Sequence, residues 1–453
     1  MEAAATTDVP RRSPPTSRRG PRGAIRTSLS LARDPLGFFT RLARDYGDVV
    51  PFRFAGMPGL LLVHPDDIEE VIVRKASSFG RDWYTRDLQM IFGKGLLTSD
   101  GELWRTQRKL AAPPLARRQI ESYAATMSAF ADEYARGLAD GERRDLHDDL
   151  MEVTAKIVMR CLFGEDYDEG GREVSDAIQV LVRYYQNPVF TLARLAVGQR
   201  LSVPRGFRKA RDRVRALIEG VIERRSHAAD PGDDLVSRLL HARDEDGSAM
   251  VRDLMRDDAI TLFVAGHETT ALALGYAFWL LARDPAALAR LRAELDAVLG
   301  DRPPTAADVG RLRYCEAVIL ESMRLYPPAW TTGREALVDT EIGGLPIPRG
   351  TQIWMVMWVN HRDARWFPDP LRFDPNRWLS GATAKLPKYA YYPFGGGPVV
   401  CIGKHFAMME AVLALAAIAR QVDFEPLRRE PLALIPGVTL RPRSGIPVQV
   451  RRR

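Results

Sequence analysis

Residues Phe394 to Gly403, FGGGPVVCIG, set one cysteine behind three consecutive glycines and a proline. Glycine backbone reaches dihedrals that other residues avoid, so such a loop lets a flat or bulky group lie close to the chain. The segment that follows, KHFAMMEAVLALAAIARQ, has a helical pattern, and Cys401 is expected to open that helix. Unpaired N–H groups and the positive end of the helix dipole favour thiolate over thiol at such a place, which suits a metal ligand. Gly403 is expected to clear the first turn for a planar ligand. Cys161 and Cys315 lie among apolar neighbours and are expected to be inert core residues. Three cysteines without a pairing rhythm argue against a disulfide framework and for a reducing compartment.

A second group of polar residues interrupts the apolar run DDAITLFVAGHETTALALGYAFWLLAR. About 20 apolar residues can cross a bilayer, but His267, Glu268, Thr269 and Thr270 at the centre would be costly in lipid. The run therefore predicts a buried helix of a large protein. There Glu268 and Thr269 offer a carboxylate and a hydroxyl able to carry protons. Trp104 and Arg108 are spaced i, i+4, and Glu321 and Arg324 i, i+3, so each pair shares a helix face. The second pair sits in an apolar helix, where a buried ion pair needs further partners.

These motifs resemble those of the cytochrome P450 superfamily. Phe394, Gly397, Cys401 and Gly403 match its haem-loop pattern F-x-x-G-x-R-x-C-x-G, with Val399 at the arginine position, and Ala265 to Thr270 match its A/G-G-x-D/E-T-T/S hexad. The resemblance runs from about residue 34 to the C-terminus. It implies a mainly α fold with small β-sheets, a triangular helical globule with haem b between the central helix and the cysteine loop. Cys401 would be the axial thiolate, which pushes electron density toward O–O cleavage. Glu268 and Thr269 would handle protons, and Trp104, Arg108 and Arg334 would hold the haem propionates. Glu321, Arg324 and Arg377 would form a structural cluster bracing the cysteine loop, and Gly266 would thin the central helix beside the iron. The pocket would draw on residues 83–91, 181–192, 262–265, 329–332 and 436–439, with Trp83, Ile91, Phe190, Leu262, Ala265, Trp330 and Val438 among its walls.

The elements that must position these groups are legible in part. DPLGFFTRLARDYG, from Asp34, predicts a short amphipathic helix stopped by Gly47; DVVPFRFAGMPGLLLV predicts a two-strand hairpin; PDDIEEVIVRK predicts a helix with proline at its start. Residues 79–98 show no clean period, and the resemblance makes them the roof of the pocket. Long helical patterns continue to about Gly300 with breaks at Gly164, Gly170, Pro188, Pro204 and Pro231. Residues 1–26 are expected to be a disordered Arg/Pro-rich tail and 27–453 one haem-thiolate monooxygenase domain.

The chain has 453 residues, 46% of them hydrophobic, and a net charge of +7. Six arginines against Glu2 and Asp8 give the first 26 residues +4, and Arg451 to Arg453 add +3, so the body is formally neutral and nucleic acid is excluded as a partner. No repeat, dinucleotide fingerprint or phosphate loop is present, and there is no room for a fused reductase. The expected protein is cytoplasmic, spans no membrane and takes electrons from a ferredoxin or flavodoxin-type donor with its reductase. It would insert one atom of O2 into an apolar organic molecule. The alternatives are a peroxygenase, isomerase or dehydratase of the same fold, or a non-catalytic haem-binding sensor. If Cys401 ligates the iron as thiolate, the reduced carbon monoxide complex shows the red-shifted Soret band of thiolate ligation, and Cys401→Ala abolishes it.

Overall fold

The computed structural model describes residues 20–21, 23–165, 167, 169–187, 190, 203–227, 234–241, 247 and 250–453. The helices of ten residues or more are α1 (Ala24–Arg33), α2 (Pro35–Tyr46), α3 (Gly101–Ala111), α4 (Arg117–Gly137), α5 (Leu146–Val158), α6 (Glu169–Gln186), α7 (Arg205–Ser226), α8 (Arg252–Leu281), α9 (Pro285–Leu299), α10 (Arg313–Leu325) and α11 (Lys404–Ala419). One sheet joins β1 (Val49–Phe54), β2 (Met57–Leu62), β8 (Gln352–Met355), β5 (Thr332–Ala336) and β3 (Phe79–Gly80) in that spatial order. Within it β2 and β8 are parallel and the other neighbours antiparallel. A second sheet orders β4 (Arg143–Asp145), β12 (Pro447–Arg452) and β9 (Val422–Pro426), and two small ribbons pair β6 (Thr340–Ile342) with β7 (Leu345–Ile347) and β10 (Leu434–Pro436) with β11 (Leu440–Pro442).

Local chemistry explains the amino-terminal elements. Asp34 caps α2 by accepting the N–H of Gly37 at 2.9 Å, Pro35 occupies the first turn, and Gly47 ends the helix at φ 94°. The helix buries Phe38, Phe39 and Leu42 against Phe52 of β1. α1 already begins at Ala24, inside the stretch expected to be tail; residues 1–19 and 22 lie outside the described residues. Gly164 ends the α5 region in the left-handed conformation, and Pro204 precedes α7, as the breaks predict. Gly170 does not break anything: it lies in the first turn of α6. Pro188 and Pro231 lie outside the described residues.

α8 is the central helix. It is apolar on nearly every side and accordingly buried on nearly every side, from Met255 to Leu281. Thr154 of α5 donates its hydroxyl to the His267 carbonyl at 3.0 Å, fixing the two helices against each other. The Cβ that Gly266 lacks would sit 3.2 Å from Val158 Cγ2 of α5. Glycine at this position eases the contact between α5 and α8, and Gly266 also borders the cavity that Cys401 faces.

α10 carries Glu321 and Arg324, both 0% exposed. Arg324 donates Nε and Nη2 to the two carboxylate oxygens at 2.8 and 2.9 Å. The remaining polar atoms are also satisfied. Arg324 reaches the carbonyls of His361, Pro370 and Arg372, while Glu321 accepts from Arg377 Nε, Trp378 Nε1 and the Asp374 N–H at 2.9–3.0 Å. The cluster implied by the resemblance thus exists as geometry, but its hydrogen bonds run to residues 361–378. It acts on the cysteine loop through the segment before it. Breaking a buried ion pair from one side leaves an uncompensated charge, so Glu321→Gln is expected to cost about 3–5 kcal/mol. Glu102→Ala, which breaks the exposed pair with Arg105, is expected to cost under ~1 kcal/mol. Equilibrium urea unfolding of the two variants checks the contrast.

Candidate active site

The cysteine loop is held by short-range contacts that glycine alone permits. Gly397 has φ 62°, and a Cβ there would come within 1.8 Å of the Ile72 carbonyl oxygen. A Cβ on Gly396 would strike the Tyr389 ring. The Cys401 N–H donates to the Phe394 carbonyl at 2.9 Å, closing the loop, and the Gly395 N–H donates to the Tyr392 carbonyl at 2.9 Å. His361 Nε2 accepts the Tyr392 N–H at 3.0 Å, and Tyr392 donates its hydroxyl to Asn360, which donates in turn to the Val63 carbonyl beyond β2. This chain ties the approach to the loop to the five-stranded sheet.

Cys401 does not open α11. That helix begins at Lys404 with Gly403 as its cap, and Cys401 lies in the turn before it. The side chain faces an internal cavity, so it is accessible while lying deep in the protein. Burial pushes the thiol above its ordinary pKa, against the opposing effects of the Gly403 N–H, Arg108 and Lys404. Desolvation thus outweighs the local positive charge around the free thiol. Burial likewise raises Cys161 and Cys315, both core residues.

The cavity has a volume of about 540 Å³ and brings together most of the residues singled out by sequence. Trp104 and Arg108 of α3, Arg334 of β5, Phe394, Val399, Cys401 and Gly403 line it, as do Ala265, Glu268 and Thr269 of α8. Of the expected pocket residues, Trp83, Leu262, Trp330 and Val438 are on its wall. Ile91 is not: it is 1% exposed and packs in the helical core beside Leu88 and Phe92. Phe190 lies beside Tyr185, ring centroids 6.2 Å apart, and it is Tyr185 that faces the cavity. Residues 188, 189, 191 and 192 lie outside the described residues.

Three features of this cavity fit a haem. A lone sulfur opens into it; Gly395 and Gly403 border it with nothing within 4 Å of where a Cβ would stand; and one edge carries guanidinium groups suited to carboxylates. Arg108 lies 5.6 Å from the Trp104 ring centroid, a cation–π pair rather than two parallel donors. A family profile for cytochrome P450 matches residues 19–449. The chain belongs to the cytochrome P450 family. It is 36% identical to cyclooctatin synthase of Streptomyces melanosporofaciens over 92% of this chain and 89% of that protein. It is 33% identical to cyclooctat-9-en-7-ol 5-monooxygenase of the same organism (91% and 88% covered) and 33% identical to pentalenene oxygenase of Streptomyces avermitilis (87% and 88%). The protein is accordingly an oxidoreductase whose family uses haem iron, and no described helix is long and apolar enough to cross a membrane.

Thr439, a partner of Glu268, lies in the stretch expected to line the pocket, whereas Arg441 and Gln179, which sit behind the cavity wall, escaped sequence reasoning. Glu268 accepts from Arg441 Nε at 2.6 Å and from the Thr439 hydroxyl, while Arg441 also donates to Gln179 of α6 at 2.5 Å. Burial alone would raise Glu268; the Arg441 charge and these hydrogen bonds outweigh it and hold the carboxylate below its ordinary pKa. Thr269 donates its hydroxyl to the Ala265 carbonyl at 2.7 Å, leaving its oxygen free to accept. Arg81, also on the cavity wall, lies close to Arg334. Only the register of distant strands unites these groups, so no local pattern signals them.

Behind the roof, Asp257 and Asp258 of α8 accept the backbone N–H groups of Lys94 and Leu96 at 2.8 and 2.7 Å, and Gln107 adds an N–H to Asp258 at 3.1 Å. Burial pushes Asp258 up to about 7, with Asp257 adding to the shift and the Leu96 and Gln107 bonds opposing it. An unfolded aspartate titrates near pH 4. The folded state therefore keeps a proton that the unfolded state loses, and stability falls as pH rises from about 4 to about 7. Asp258→Asn is expected to flatten that decline, as read from thermal unfolding midpoints across the range.

Proposed function

We propose that this P450 is a monooxygenase in which Cys401 would hold the iron of haem b, and that it inserts one oxygen atom into a neutral, apolar molecule. The reading rests on one observation: the Cys401 sulfur and the Thr269 hydroxyl open into the same largely apolar cavity. When bound, haem supplies the activation of molecular oxygen. Trp104, Arg108 and Arg334 would hold its carboxylates, and Phe394, Gly397 and Gly403 would shape the loop that receives it. Leu262, Ala265, Trp330 and Val438 exclude water and select apolar surface. Relatives named for oxygenating cyclooctat-9-en-7-ol and pentalenene support a substrate built mostly of carbon and hydrogen.

Protons reach the cavity through α8. Thr269 holds or passes a proton at Oγ1, its own hydrogen anchored on the Ala265 carbonyl in the resting state. Glu268 stays ionised against Arg441, so it acts as an acceptor whose charge is balanced rather than as a free acid. Electrons come from a separate ferredoxin or flavodoxin-type donor with its reductase. Thr269→Ala is expected to keep haem and ligand binding while product formed per NADPH falls about tenfold or more and hydrogen peroxide rises in step. Unchanged coupling in a surrogate ferredoxin system sinks the assignment of Thr269.

A further inference from the structure

The cavity wall is largely apolar, and most of the hydroxyl groups that border it are already engaged inside the protein. Thr261 donates to the Asp257 carbonyl at 2.8 Å, Thr269 to the Ala265 carbonyl at 2.7 Å, Tyr185 to the Asp87 carbonyl at 2.7 Å, and Thr439 to Glu268. Tyr84 differs. It stands on the same wall, and among the described residues its hydroxyl has no hydrogen-bond partner. Its ring is edge-on to Tyr185, centroids 6.0 Å apart, and 6.2 Å from the Trp83 ring. Burial pushes the phenol above its ordinary pKa, with Asp82 and Asp87 adding to the shift, so the hydroxyl keeps its proton and can donate. Thr85 and Thr332 also border the cavity with hydroxyls that meet no acceptor among the described residues. A threonine can turn its hydroxyl back on its own backbone, whereas a phenol reaches too far from its own turn to do so.

The short helix that carries this tyrosine, Trp83–Asp87, is tied to the elements around it. Asp82 caps it by accepting the Thr85 N–H at 3.3 Å, and the Trp83 N–H donates to Gln352 Oε1 of β8 at 2.8 Å. Arg86 pairs with Glu335 of β5, and Tyr185 of α6 donates to the Asp87 carbonyl. A side chain on so fixed a support cannot swing away to find a partner elsewhere. An enclosed polar group without a partner is costly, and a ligand atom that accepts from it removes that cost. We propose that Tyr84 donates a hydrogen bond to a hydroxyl or carbonyl oxygen that the substrate already carries, so that the preferred substrate is a hydrocarbon skeleton bearing one oxygen rather than a bare hydrocarbon. This rests on the reading of the cavity as the site of a neutral, largely apolar molecule. The bond ties one end of that molecule to the roof and so restricts which carbon is presented for oxidation. The reaction that supplies such a substrate is one that sets an oxygen on carbon, either an earlier oxygenation or an addition of water.

The test titrates purified holoprotein with matched pairs of rigid probes, adamantane with adamantanone and decalin with decalol, and reads the ligand-induced shift of the haem absorption band. Tyr84→Phe removes one oxygen atom and keeps the ring beside Trp83 and Tyr185. Each protein's preference for the oxygenated member over its hydrocarbon is compared between wild type and variant, so the differing hydration of the two probes cancels. The preference is expected to be about fivefold larger in the wild type, the effect of one neutral hydrogen bond, with the affinity for the hydrocarbons the same in both proteins. The thermal unfolding midpoint of Tyr84→Phe is expected not to fall, because no bond within the protein is lost. A lower midpoint overturns the proposal, since the hydroxyl then has a partner within the fold. An equal preference in the two proteins also overturns it. If the wild type binds the hydrocarbons and the preference is equal, only the role of Tyr84 fails; if no probe shifts the band in the wild type, the reading of the cavity as the site of an apolar substrate fails with it.

Discussion

The structure depends on a charged pair that water never reaches. Glu321 and Arg324 are enclosed completely, and the segment 361–378 makes six hydrogen bonds to the pair. Such a pair contributes less through mutual attraction than through what it forbids. Any arrangement of residues 361–378 that withdraws those carbonyls leaves a buried charge unpaired, at a cost of several kcal/mol. The segment it fixes carries His361, whose ring accepts from Tyr392, and from there the path leads to the glycine loop and Cys401. A loop that must present one sulfur at one place is thereby anchored by groups that need not touch it.

Inside the cavity, charge is sorted by position. The carboxylate on α8 is neutralised from β11 by Arg441, Arg108 and Arg334 stand on α3 and β5 at the cavity wall, and burial pushes the free Cys401 thiol above its ordinary pKa. Desolvation dominates at Cys401 because its neighbours offer one N–H and two more distant cations. At Glu268 it loses, because Arg441 and Thr439 bond the charged form directly. The same physical penalty therefore gives opposite outcomes at two groups that share one cavity.

The residues that sequence placed well are those whose partners are near in the chain or whose chemistry is rare. Asp34, Pro35 and Gly47 bound a helix through their own backbone preferences, and the loop from Phe394 to Gly403 announces itself because few sequences combine three glycines, a proline and a lone cysteine. The burial of the central helix was equally legible, since an apolar run with polar residues at its middle has no other stable place. Ile91 and Phe190 were misplaced for the converse reason. Aromatic and aliphatic residues read alike whether they face a cavity or the core behind it, and only the rotation of each short helix decides.

What the sequence determined by itself was the family, the mainly helical class, the cysteine and the acid–hydroxyl pair on α8, because local pattern and residue chemistry suffice for these. What only the tertiary structure decided was the company each group keeps. The β10–β11 ribbon delivers Arg441 and Thr439 to Glu268. Whether a thiol ionises, whether a carboxylate is free and whether a cation lacks a partner all depend on charges and dielectric within a few ångströms. Those neighbours come from distant segments, as Glu268 and Arg441, 173 residues apart, do, and no spacing rule along the chain encodes them.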